Sequence, residues 1–209
     1  MMASARWIAT VCVFLVCVVG GCATQPRPAG EDGSGRLPPK AKLDFYNDGD
    51  TVLVGVGTRA ARLSGPGQFL PVHVVVANKR KPEIVVNRES FTLELPDGTS
   101  LPLAPLDEVQ RDAGNMRSDR RLSASFFENI GGRLPVPPYR WIELDFFPVQ
   151  NLGALPRDAV ELFRADVTFG TIYFRRTGFM EPPDSGWHKL LFRPGGSDTT
   201  YVVDFVPYR

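Results

Sequence analysis

The chain has 209 residues, with 24 Lys and Arg against 23 Asp and Glu, and 43% of it is apolar. That length fits one domain with a core large enough to hold itself together. The even charge balance excludes a broad nucleic-acid-binding surface. Cys12, Cys17 and Cys22 are the only cysteines, so nothing downstream of them can form a disulfide, a thiolate metal site or a thiol nucleophile.

In chain order, the first feature is a charged start followed by an apolar run. Arg6 is the only charge before Cys22, and Trp7–Val19 is uninterruptedly apolar or small for 13 residues. A helix of that length spans roughly 20 Å, short of the roughly 30 Å of bilayer hydrocarbon. This is the layout of an export signal rather than a permanent membrane helix. The run closes on Val19-Gly20-Gly21-Cys22. That tetrapeptide resembles the lipobox of bacterial lipoproteins, with Gly21 and Cys22 matching its two strictest positions. The resemblance covers only the first two dozen residues. It implies cleavage between Gly21 and Cys22, acylation of the Cys22 thiol and amino group, and attachment to a membrane through several acyl chains. Ala23 stands where some lipoproteins carry an inner-membrane-retaining aspartate, which implies outer-membrane sorting with the domain facing the periplasm.

Residues 22–42 are rich in Pro, Gly and charge without apolar periodicity, and read as a flexible tether. Residues 43–209 read as one domain. Strand signals recur there: Thr51–Val56, Phe69–Ala77, Ile84–Val86, Tyr139–Phe147, Ala165–Phe174 and Thr200–Val206, with Gly, Pro, Asn or Asp at nearly every break. Asn47-Asp48-Gly49-Asp50 reads as a turn, since it lacks a full calcium-loop pattern. Lys79-Arg80-Lys81 reads as a solvated strand connection, with an anionic-lipid or polysaccharide contact as the sharper alternative.

Phe91–Leu103 predicts a hairpin. A three-residue loop, Pro96-Asp97-Gly98, pairs Leu95 with Thr99, Leu93 with Leu101 and Phe91 with Leu103, keeping the apolar face together. It also sets Pro96 in a type I turn and Gly98 in the left-handed bulge position. Pro105–Val109 and Asp119–Asn129 read as helical, with Leu122, Phe126 and Ile130 as an apolar stripe that packs on the sheet or meets a partner. The whole predicts an all-β, immunoglobulin-like sandwich of seven to nine strands with a short helical insertion around residues 105–130. A small lipid-binding barrel is the alternative.

Chemical motifs are sparse. His73 lies inside the apolar run, on the face of Val75 and opposite Val72, Val74 and Val76, and reads as a sheet residue. Asp184, Ser185 and His188 sit too close in sequence for a catalytic triad, and no Gly-x-Ser-x-Gly elbow is present. No metal or cofactor site is expected, and no catalytic residue is assigned. Tyr139–Phe147 read as one strand puts Trp141 and Phe147 on the face opposite Ile142. If that face is covered by a helix or second sheet they are core, which is the preferred reading; if it is open they form, with Leu122 and Phe126, the candidate partner surface. The expected role is a non-catalytic, membrane-anchored envelope lipoprotein that binds a protein or glycan partner. The runner-up is a carrier or chaperone for lipids or other hydrophobic ligands.

Overall fold

The computed structural model describes residues 34–36, 44–63, 67–114, 116, 119, 139–148, 155–176 and 186–207. In chain order the elements are β1 (Ser34–Arg36), β2 (Asp44–Asp48), β3 (Val52–Gly57), α1 (Arg59–Leu63), β4 (Phe69–Asn78), β5 (Glu83–Asn87), β6 (Phe91–Glu94) and β7 (Ser100–Pro102). Then come α2 (Leu106–Arg111), β8 (Arg140–Glu143), β9 (Ala159–Phe163), β10 (Asp166–Arg175), β11 (His188–Phe192) and β12 (Tyr201–Phe205). The protein is an all-β sandwich in which α1 and α2 are short helices. Among the described residues alone, twelve strands exceed the seven to nine read from the sequence. None of the described helices is long and apolar enough to cross a membrane.

The valine-rich run organises the first sheet. β4 is ten residues long and buried at every position, as β-branched side chains on a doubly covered strand require. It lies inside a six-stranded sheet of order β1-β2-β3-β4-β10-β8. β3 ends at Gly57 opposite His73, so Pro71 falls where β4 has only β10 beside it, opposite Tyr173. That explains a proline in an otherwise central strand. β1 is a surprise, because it lies inside the segment read as a flexible tether. Ser34 and Arg36 pair with Asn47 and Phe45. Backbone pairing to the open edge of β2 needs no apolar pattern, so Ser-Gly-Arg gave no strand signal.

The second sheet has the order β12-β11-β6-β7, and β5 and β9 form a separate ribbon. The β6–β7 hairpin has the register derived from its apolar face: Leu93 faces Leu101 and Glu94 faces Ser100. The Leu95 N–H donates to the Thr99 carbonyl at 2.8 Å and the Gly98 N–H to the Leu95 carbonyl at 2.9 Å. Gly98 has φ +84°. The ladder stops one pair early, because Leu103 bridges to Phe174 of β10 instead of Phe91.

The core lies between the two large sheets. One face of the first sheet supplies Val54, Val56, Val72, Val74, Val76, Ile172 and Phe174, and the second supplies Phe91, Leu93, Leu190, Phe192, Val203 and Phe205. The sheets meet at two corners. At one, the Asn47 side chain donates to the Val202 carbonyl at 2.9 Å and the hydroxyls of Thr51 and Tyr201 bond at 2.9 Å. At the other, the Ala104 N–H donates to the Tyr173 carbonyl at 2.8 Å.

The segment read as one strand from Tyr139 to Phe147 is shorter. β8 covers only Arg140–Glu143 and runs parallel to β10. After Glu143 the chain crosses over β10: the Leu144 N–H donates to the Phe169 carbonyl at 2.7 Å. A Cβ on Gly170 would stand 2.5 Å from the Leu144 carbonyl oxygen and 2.9 Å from its Cβ. Backbone cannot yield as a flexible side chain does. Gly170→Ala should therefore cost about 1–3 kcal/mol of stability in chemical unfolding. An unchanged midpoint would show that the crossing is loose.

Candidate functional site

β4 and β10 turn one face into the sandwich and the other away from it. The outward face carries Gly57, Pro71, His73, Val75, Ala77, Val167, Phe169, Thr171 and Tyr173 by strand alternation and register. Its half nearest Asp166 is apolar: Leu53, Val75, Ala77 and Val167 cluster, with Tyr139 and Phe169 packed over them. Its other half is polar and covered by the insertion. Val109, Ala113 and Met116 are buried in the same cluster as Tyr173 and Phe147. α2 thus packs on the sheet, and its Glu108 reaches Arg175 of β10 at 3.5 Å.

Beneath the insertion lies a buried polar seam. His73 has no solvent-accessible surface, Tyr173 is 1% exposed and Asp119 is 2% exposed. His73 Nε2 lies 2.9 Å from the Asp119 carbonyl oxygen. A carbonyl only accepts, so Nε2 carries the proton. Burial is the larger influence on this imidazole and drives its pKa down to about 4, against the smaller upward pull of the bond to Asp119. Burial first, then the Asp119 carboxylate, pushes the Tyr173 phenol above its ordinary range. The seam therefore holds a neutral imidazole and a neutral phenol at ordinary pH. Its chemistry is that of a lock between sheet and insertion, since solvent reaches neither ring.

The sequence-derived candidates separate. Trp141 is 43% exposed and stands edge-on to Phe169 at 5.7 Å, on the outward face of edge strand β8. Phe147 does not share that surface: it takes the core alternative, and only its candidacy as a partner-surface residue is corrected. It is 6% exposed, meets Tyr173 edge-on at 5.4 Å, and lies under the Arg88 guanidinium at 4.5 Å. Arg88 also donates to the Ala104 carbonyl at 2.7 Å. Alternation failed because the strand ends before Leu144. Leu122 and Phe126 lie outside the described residues, as do Gly21 and Cys22.

His188 is 1% exposed. Its Nδ1 lies 3.1 Å from the Gly186 carbonyl, and its ring packs against Phe205 at 5.7 Å. Asp48 is engaged by Lys79 at 2.9 Å; Asn47 and Asp48 are the last residues of β2, paired with Val54 and Leu53, so the β2–β3 turn is shorter than the expected Asn47–Asp50. Among the described residues no group of three or more His, Cys, Asp or Glu side chains converges on a metal position. A shallow polar hollow is lined by Asn87, Glu89, Arg193 and Asp198. Nothing in the residue pattern points to the His73–Asp119–Tyr173 seam, because Asp119 is 46 residues from His73.

These features define a class: a β-sandwich whose outward sheet face is half covered by an inserted helical segment and half marked by an exposed tryptophan. Comparison with protein-family models, curated proteins and solved structures returns no match to this chain.

The seam has a measurable pH signature. His73 is neutral when folded down to about pH 4 but protonates near 6.5 when unfolded. Its favourable contribution is complete above 6.5 and is lost as the pH falls toward 4. Urea unfolding should show wild type losing about 1.4 kcal/mol per pH unit across that window beyond the loss in His73→Gln, whose amide can still donate to Asp119. Parallel pH profiles for the two proteins would dismiss the assignment.

Proposed function

We propose that this chain is a non-catalytic envelope lipoprotein, anchored through acylated Cys22, whose β-sandwich binds a protein or glycan partner beside the membrane. Val19-Gly20-Gly21-Cys22 after the apolar run Trp7–Val19 carries the anchoring half of this reading. Exposed Trp141 supports the binding half. Large aromatics at a half-open strand are the residue type that contributes most to contact surfaces. Filling of the sandwich interior by Phe91, Phe146, Phe174, Phe192 and Phe205 favours a binding surface over an internal carrier cavity.

Metabolic labelling with a radioactive fatty acid tests the anchor. Wild type should be labelled and processed, and Cys22→Ala should be unlabelled and retain its signal. A labelled Cys22→Ala protein would end the lipoprotein reading. For the surface, a photo-crosslinking residue in place of Trp141 should capture one defined envelope partner severalfold better than the same residue at Trp187, which is 40% exposed. Equal capture at both positions would remove Trp141 from the contact.

A further inference from the structure

The strand directions place a second set of exposed groups at one end of the sandwich. β2, β4 and β9 end there, and β3, β8 and β10 begin there. Three turns make this rim: Asp48–Thr51, Lys79–Pro82 and Phe163–Asp166.

Hydrogen bonds knit the turns into one surface. The Lys79 N–H donates to the Thr51 carbonyl at 2.8 Å, and the Ala165 N–H to the Asn78 carbonyl at 2.8 Å. The fully buried Asn78 side chain donates to the carbonyls of Lys81 at 3.0 Å and Leu162 at 2.9 Å. Arg140 forks onto Asp166, with Nε 3.0 Å from Oδ1, and Lys79 neutralises Asp48. What stands out to solvent is Phe163, 49% exposed, with exposed Arg80 and Arg164 and half-buried Lys81. Asp50 and Glu83 are also exposed, so the basic excess is small and the aromatic ring carries part of any contact. An exposed aromatic among Arg and Lys side chains is the composition that settles at the headgroup level of a bilayer.

The same rim is where β1 begins. β1 runs antiparallel to β2, and Ser34 sits opposite Asn47, one residue from the end of β2. Ser34, where β1 begins, therefore lies on the side of the three turns. Only 12 positions separate Ser34 from Cys22, at most roughly 40 Å of fully extended chain.

We infer that this rim is the membrane-facing surface of the domain, docking Phe163, Arg80, Lys81 and Arg164 onto a phospholipid surface that contains anionic headgroups. The inference rests on the Cys22 anchor. It sets the orientation of the domain: the rim meets lipid, and Trp141, one residue along β8 from Arg140, stands beside that surface.

The mature chain holds no cysteine besides Cys22, so a single introduced cysteine can carry a fluorophore. Protein purified from membranes would be labelled at Pro82→Cys on the rim, or at Leu63→Cys, exposed at the opposite end of β3. Each is reconstituted into vesicles of phosphatidylcholine and phosphatidylglycerol with a brominated-lipid quencher. Quenching at position 82 should exceed that at 63 by about threefold or more, and R80E/K81E or Phe163→Ser should erase the difference. Vesicle-bound protein with equal quenching at both positions would overturn the inference while leaving the anchor intact. Protein that fails to float with vesicles would instead count against the Cys22 anchor. A difference that survives both R80E/K81E and Phe163→Ser would show that these side chains do not make the contact.

Discussion

The structure depends on β4 being buried on both faces. Ten consecutive covered residues demand two coverings, and the molecule supplies them from different parts of the chain. The second sheet closes the inner face with aromatic side chains. The outer face is closed by the insertion after β7 and by Tyr139 and Phe169. Double burial also dictates where polar groups are tolerated. His73 and Asn78 both have no exposed surface, and each finds backbone partners from elsewhere in the fold, as buried polar groups must.

The sequence was most legible where local pattern and local pairing coincide. The β6–β7 register followed from Leu93, Leu95 and Leu101 needing one face and from Gly98 needing positive φ, and both constraints lie within a dozen residues. The valine run of β4 was equally plain. Where pairing is distant, the signal faded. β9 (AVELF) takes its place from a partner far back in the chain, and Ser34–Arg36 carries no apolar pattern. Trp141 and Phe147 show the same limit within one segment. Alternation placed them together, but the crossing of Leu144 over Gly170 ended the strand and sent Phe147 under Arg88.

The candidate sites divide along the same line. Cys22 is proposed from contiguous residues alone, since a lipid-attachment motif is carried by an extended stretch of chain. The polar seam was not legible, since a histidine inside an apolar run carries no sign of what covers it. Nor was the rim, which is assembled from three turns only when the strands align. Lys79-Arg80-Lys81 was visible as a basic cluster, but its proximity to Phe163 and to the start of β1 is a property of topology.

The corner between β2 and β12 bears on how the protein is made. The bond from Asn47 to Val202 spans 155 residues, and β4 pairs along its whole length with β10, nearly a hundred positions later. Any chain emerges from its N-terminus first. The valine-rich inner face of β4 therefore waits for β11 and β12 before the second sheet over it is complete. Such distant pairings fold slowly and leave apolar strands exposed to aggregation meanwhile. Until Tyr201–Phe205 is made, β11 has only β6 beside it.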